Sequence, residues 1–483
     1  QRIEAQSLRV TADPDGYEAR GDVRIGGMPA MVDYRKPRGD GDGELRLQAT
    51  FDDAARTRFG FDFNGAVSGP IPIRLGAKIA PSAEQDSRFA IEADLTQAKI
   101  DNLLPGWTKP AAKQARATFT MTSRKGTNTR IDDIVVVDGG VSVKGSVEVD
   151  GSGELVTASF PVFGMSSDDK ASLKAERLPD GTLKVTMRGD VYDGRTFIKS
   201  VMGGANANAD TKQQHRGIND LDLDVKIAAV AGFHGEALRG LDLRMQKRAG
   251  LIKTFALNAK HGVDATLLGD MRGRAGARQV LYFESSDAGA LLRFTDTYPR
   301  MVGGQMWATM DPPTPSQAPQ EGLLNIRDFV VRGEPALDNV VGGGGMQPAG
   351  VEFSRMRVEF IRSPGRFTVR DAVVRGPAIG ATMDGMIDYA GNDVRLRGTF
   401  VPLFGLNNMF GQIPIVGLFL GGDKEGLVGI TFEVVGPPGA PTLRVNPMSA
   451  LAPGLVRKVF EFPSSVPGER YPDAKSSYAD RDR

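Results

Sequence analysis

The sequence predicts a mostly β fold: a long, twisted antiparallel sheet of successive hairpins with a few short capping helices. Three observations predict it. Strict two-residue alternation of apolar and polar side chains recurs along almost the whole chain, turn-forming clusters separate those runs at hairpin spacing, and helical periodicity is confined to short segments. Alternation places one set of side chains on each face of a strand, so each strand has one apolar and one wet face.

The pattern begins with Tyr17, Ala19, Gly21, Val23 and Ile25, which oppose Glu18, Arg20, Asp22 and Arg24. Val141, Val143, Val147 and Val149 oppose Ser142, Lys144, Ser146, Glu148 and Asp150. It continues through Leu183, Val185 and Met187, then Leu221, Leu223, Val225 and Ile227, then Leu241, Leu243 and Met245. Met356, Val358 and Phe360 repeat it, as do Val428, Ile430, Phe432 and Val434. Turn signals such as DPDG (13–16), GDGDG (39–43), DGG (138–140), DGSG (150–153), PDGT (179–182) and AGND (390–393) lie between the runs. About twenty-five strands follow from this count. One-sided patterning disfavours a doubly wound parallel sheet, whose strands read as continuous apolar runs.

Four short helices are expected. One follows Phe51 with its N-cap at Asp52 or Asp53, one begins at Ser286, and one covers EPALDNVVGG (334–343). In the fourth, SALAPGLVRKVFEF (449–462), Leu451, Leu455, Val456, Val459 and Phe460 recur at helical spacing. The stretches 203–214, 311–322 and 342–350 read as loops. The expected organisation is one part of the sheet over 1–215, a second over 216–400, an apolar end piece over 401–462 and a disordered polar tail over 463–483. A sheet this long with one apolar face cannot leave that face in water. Either the face closes onto itself in sandwiches, or it curls into a gutter that holds an apolar ligand.

Totals exclude several function classes. Sixty basic and fifty-nine acidic residues give a formal charge of +1, which offers no electrostatic footprint for nucleic acid. The absence of cysteine excludes disulfides, thiolate metal sites and cysteine nucleophiles, and permits an extracytoplasmic location. No serine elbow, phosphate-binding P-loop or HExxH motif occurs, so no enzyme activity, cofactor or metal is expected. His215, His234 and His261 fall on separate hairpins and read as ordinary surface or turn histidines. Asp220, Asp222 and Asp224 read as a solvated strand face and Asp40, Asp42 and Glu44 as turn chemistry, not as calcium sites. The RGD at 38–40 sits in the same turn, and GGGGM lacks the strand-into-helix context of a dinucleotide site. Nothing near Gln1 has a signal-peptide layout, and an anchor in the parent chain, if it has one, is expected upstream. The most apolar window, VPLFGLNNMFGQIPIVGLFLGG (401–422), is no transmembrane helix, because Pro402, Pro414, interior glycines, Asn407, Asn408 and Gln412 break it.

Short motifs in order carry a resemblance. EADLTQAKIDNLLPGWTKP (92–110), SSDAGALLRFTDTY (285–298), GPAIGATMDGMIDY (376–389), GTFVPLFGLNNMFGQIPIVGLFLGG (398–422) and VNPMSALAPGLVRKVFEF (445–462) resemble the C-terminal region of AsmA-like envelope proteins. The nearest subset is the YhdP type, related to TamB and to bridge-like lipid transfer proteins. The resemblance covers about residues 40–462, and its last two stretches are the most specific. It implies a β gutter in the periplasm of a Gram-negative envelope, tethered to the inner membrane. It also implies conduction of phospholipid toward the outer membrane in support of its biogenesis, partner proteins in the envelope and no catalytic residues. The alternative is a non-conducting structural or scaffolding protein of the envelope.

On the gutter reading, acyl chains meet the inner face at Val141, Val143, Val147, Val149, Leu221, Leu223, Val225, Ile227, Leu241, Leu243, Met245, Val358, Phe360, Val428, Ile430 and Phe432. Sheltering them is worth about 0.8 kcal/mol per methylene. A membrane contact at the C-terminal end is expected through Phe404, Phe410, Leu418, Phe419, Leu420, Leu455, Val459 and Phe460, unless 401–422 serves as a plug over the last strands.

Overall fold

The computed structural model describes residues 3–59, 65–80, 86–101, 103, 107–123, 127–203, 219–274, 278–334, 350–377, 379–402, 430–438 and 440–446. The fold is mostly β, with three short helices among the described residues. The chain divides into two compact units: 1–201, 208–232 and 237–260 in the first, and 202–207, 233–236 and 261–483 in the second.

The first unit opens with β1 (Ile3–Asp13), β2 (Gly16–Ile25), β3 (Met28–Pro37), β4 (Gly43–Phe51) and α1 (Asp53–Phe59). There follow β5 (Val67–Ser68), β6 (Ile71–Ile79), β7 (Ser87–Asp94), β8 (Lys99–Asp101) and β9 (Thr108–Lys109). The run β10 (Ala115–Ser123), β11 (Thr129–Asp138), β12 (Val141–Val149), β13 (Leu155–Gly164), β14 (Lys170–Arg177) and β15 (Leu183–Asp193) leads to α2 (Arg195–Gly203). It closes with β16 (Leu221–Ala231), β17 (Ala237–Arg248) and β18 (Leu251–His261). β5, β8 and β9 form a small separate sheet, and each other strand pairs with its neighbour in chain order.

Register in this unit holds apolar residues against apolar residues. Starting from Val10, the ladder partners run Ala19, Tyr34, Leu45, Ala77, Phe89, Met121, Ile131, Val147, Ala158, Ala175, Val185, Leu223, Met245 and Phe255. One row therefore crosses the sheet from β1 to β18 with an apolar or aromatic side chain at every step. Where alternation would lose step, a bulge restores it: the β11 ladder shifts between Ile131 and Ile134, with Asp133 at φ 53°.

One ladder is parallel. β15 and β16 pair from Leu183↔Leu221 to Asp193↔Ala231, which departs from the expectation of antiparallel hairpins throughout. A parallel neighbour requires a crossover that returns the chain to its starting edge. That crossover contains α2, a helix that the sequence reading did not place, and the expected boundary at 215–216 falls inside it.

The other two helices have clear origins. Asp52 Oδ1 accepts from Ala55 N at 2.7 Å and so caps α1. The buried Arg56 then donates to the carbonyls of Phe51, Val67 and Gly69, tying the helix to β5, while Ala55 joins a cluster with Val23, Met28, Ala30 and Ala49. In the small sheet, the Lys109 ammonium is buried and donates to the carbonyls of Thr96, Pro110 and Lys113; burial pushes its pKa down.

The second unit contains β19 (Ala265–Arg274), β20 (Arg278–Ser285), α3 (Ala288–Phe294), β21 (Met301–Met310) and β22 (Gln320–Val331). It continues with β23 (Val351–Ser363), β24 (Arg366–Arg375), β25 (Ile379–Asp388), β26 (Asp393–Pro402), β27 (Ile430–Gly436) and β28 (Thr442–Asn446). All its ladders are antiparallel between successive strands, and the described β28 pairs only with β27. α3 begins two residues later than expected, because Asp287 is its cap and accepts from Ala290 N. The helix lies tightly on β21: a Cβ on Gly289 would come 2.4 Å from the Met301 carbonyl oxygen. Ala288 consequently packs with Met301, Ile326, Phe329 and Val351. The expected helix at 334–343 lies outside the described residues except at Glu334, and the one at 449–462 lies wholly outside them.

Two cross-strand pairs set a phenyl ring on a glycine. Gly322 faces Phe360 and Gly398 faces Phe432, and a Cβ would meet those rings at 2.1 and 2.5 Å. The ring takes the space a side chain would fill and covers the bare backbone. Gly322→Val, whose added Cβ meets the Phe360 ring at each of its three nearest contacts, should therefore cost about 2 kcal/mol by overpacking, read as a lowered urea midpoint. Gly273→Val, where nothing lies within 4 Å of the added Cβ, is the control and should move the midpoint far less. Equal shifts in the two variants would show that the ring does not depend on the glycine.

Candidate apolar binding site

The second unit surrounds an apolar cavity of about 350 Å³. Its walls come from β22 to β28 through Leu324, Phe329, Phe353, Met356, Val358, Val369, Met383, Leu396, Phe432, Val434 and Leu443, among others. A flat sheet cannot bring side chains of so many successive strands around one space, so this sheet is curled. Phe329 stacks on Phe353 with ring centroids 5.1 Å apart, and Phe360 stacks on Phe367 at 4.5 Å. These contacts hold the wall rings in place.

Polar side chains reach the cavity at four positions, Thr297, Tyr298, Glu334 and Tyr389. The first two follow α3, and Glu334 follows β22 and is paired with Arg300. Tyr389 follows β25, beyond the opposite ends of the strands. The cavity thus has apolar walls and polar extremities, a distribution that suits an amphipathic ligand with a long hydrocarbon part. Burial pushes the Tyr389 phenol up to about 12, with the nearby Arg362 guanidinium acting in the opposite direction. Burial raises Tyr298 further, helped by the Glu334 carboxylate. Desolvation in turn lowers the pKa of Arg362, which donates to Gln320 Oε1.

Comparisons with protein-family models, curated proteins and solved structures find no match for this chain.

The sequence-selected residues separate by place. Val358 and Phe432 line the cavity, Ile430 belongs to the buried cluster beside α3, and Phe360 to an adjoining cluster with Val369 and Leu396. In the first unit Val141, Val143, Val225 and Ile227 are buried, whereas Val147, Val149, Leu221, Leu223, Leu241, Leu243 and Met245 are half-buried on the same apolar face. Along the row that contains Val147, Leu223 and Met245, the larger side chains Leu45, Phe89, Met121, Ile131, Val185 and Phe255 are also only half-buried, and Val10 is 60 % exposed. Val428 and the eight residues assigned to membrane contact, Phe404, Phe410, Leu418, Phe419, Leu420, Leu455, Val459 and Phe460, lie outside the described residues.

One expectation about the polar residues changes. His261 is not a surface histidine: it is fully buried, and its Nε2 lies 2.9 Å from Ser285 Oγ. His234 does lie at a turn and pairs with Asp296 at 2.6 Å, while His215 is outside the described residues. Asp222 and Asp224 are engaged by Arg248 and Arg188, and Asp220 accepts from Ala249 N. No group of three or more metal-ligating side chains occurs among the described residues. Phe329, Phe353, Met383, Leu396, Tyr298 and Tyr389 were missed by the sequence reading. Phe329 and Ile326 are three residues apart yet both buried, with Asp328 between them at φ 54°, so strict alternation cannot place both on one face.

A raised phenol pKa ties stability to pH. Tyr389 is neutral in the folded state up to about pH 12, so its contribution is complete below the unfolded value of 10.0 and is lost as pH rises through the window between them. Urea unfolding across that window should show wild type weakening more steeply than Tyr389→Phe. Identical slopes would mean that the ring is not buried.

Proposed function

We propose that the protein is a groove protein of the cell envelope that shelters phospholipid acyl chains between the inner and outer membranes. The observation that carries this reading is the cavity of the second unit, walled by apolar side chains of successive strands and polar only at its extremities. The half-buried apolar row of the first unit supports it, because a face closed by a second layer would bury its larger side chains fully. The resemblance to AsmA-like proteins of the YhdP type supplies the location, periplasmic and tethered to the inner membrane, and the role in outer-membrane biogenesis. Chemistry in this reading is physical: hydrocarbon leaves water for an apolar wall, and the head group stays at a polar extremity. Repeated apolar side chains of similar size make neighbouring positions nearly equal in energy, which favours movement over tight capture.

Filling the cavity tests the reading directly. Met383→Trp should weaken binding of a fluorescent polyene fatty acid roughly tenfold, about 1.4 kcal/mol, with the melting temperature held. Unchanged affinity in the folded variant would remove the cavity as the site. In cells, photo-crosslinking groups at Val143, Val225 or Leu243 should capture phospholipid and those at Lys144 or Asp224 should not. Absence of labelling at every position would favour the scaffolding alternative.

A further inference from the structure

The polar face of the second unit carries a feature that neither hydrocarbon shelter nor stability explains. On the ladders β22, β23 and β24, Arg327 faces Arg355 and Arg355 faces Arg375. All three are exposed, on the face away from the apolar side chains Ile326, Met356 and Val374. None of the three guanidinium groups has an ion-pair or hydrogen-bond partner among the described residues. Of the nearby acids, Glu359 is engaged by Arg357 at 2.7 Å and Glu321 by Arg370 at 3.1 Å, while Asp328 and Glu352 are exposed at one end of the row and form no ion pair with it among the described residues. The row is flanked by the neutral Gln305 on β21 and by Gly380 on β25, which leaves open space beside Arg375.

Another row on the same polar face shows what a row arranged for stability looks like. Asp384, Arg397, Glu433 and Arg444 alternate in sign over four strands, with bridges of 3.2 Å and 3.3 Å. Like charges placed directly opposite each other destabilise a sheet, so three stacked arginines cost stability unless something anionic occupies them. Strand spacing puts the outer two roughly 10 Å apart. Planar guanidinium forks at that spacing match phosphate oxygens, one group between each adjacent pair.

We propose that Arg327, Arg355 and Arg375 form a binding site for a ligand that carries phosphate groups, on the face opposite the apolar cavity. Two sources have that chemistry: a soluble polyphosphate, or the phosphates of an anionic lipid head group. The site is independent of the acyl-chain reading, because it uses the other face of the sheet.

Titration calorimetry of the full chain with tripolyphosphate, and flotation with mixed phosphatidylcholine and phosphatidylglycerol vesicles, separate the sources. Arg355→Gln should weaken binding at least about tenfold (1.4 kcal/mol) and raise the melting temperature at low salt, since it relieves repulsion. Arg397→Gln, drawn from the alternating row, should leave binding unchanged. Tripolyphosphate binding that is lost in Arg355→Gln alone supports a soluble ligand, and vesicle binding alone that is lost in the same way supports a head group. Absence of binding to both probes, or equal loss in the two variants, overturns the proposal.

Discussion

Cross-strand register is the constraint on which the rest of the structure depends. A one-residue slip in any ladder turns a whole strand over and moves its apolar set into water. In the first unit fifteen successive partners from Val10 to Phe255 keep an apolar or aromatic side chain on the shared face. Each ladder fixes the next, so an error could not be confined to one hairpin. The bulge at Asp133 belongs to this logic: it removes the odd residue that would otherwise invert everything after it.

Curvature in the second unit arises from the same register. Glycines at 322 and 398 stand opposite phenylalanines, and the rings lean over the space where a Cβ would stand. Small residues on a concave face allow neighbouring strands to close up, and large ones from the next strand fill the gap. The wall of the cavity is thus made by uneven side-chain size, not by a change of strand pairing. α3 completes one end because Gly289 lets it approach β21 closely enough for Ala288 to meet Ile326.

Much of this was legible in the sequence. Alternation at Val141 to Val149 and at Leu221 to Ile227 identified the apolar face, since within a regular strand every second residue shares it. Turn chemistry placed the hairpins, and the pair Asp52 and Asp53 marked the start of α1, with Asp52 as the cap. Three features were not legible, each for a physical reason. α2 presents Phe197 and Val201 to solvent, so it lacks the buried apolar stripe of a packed helix. Parallel pairing of β15 with β16 depends on which edge the chain returns to, which local pattern does not encode. Phe329 escaped notice because Asp328 at φ 54° breaks the period of two at the very strand that supplies the cavity wall.

The parallel β15 and β16 pair also divides the chain in time. A hairpin joins residues close in sequence, so its closure entropy is small and each new strand can dock on the edge left by the last. A chain made of hairpins can therefore grow its sheet vectorially as it leaves the ribosome. At β15 that growth stops, because Leu183 must wait for Leu221 to arrive across the α2 crossover before the next ladder can start. Contact order rises at that single junction and nowhere else among the principal ladders between β10 and β18. Until it closes, the edge of β15 is the exposed, aggregation-prone front of a half-built sheet.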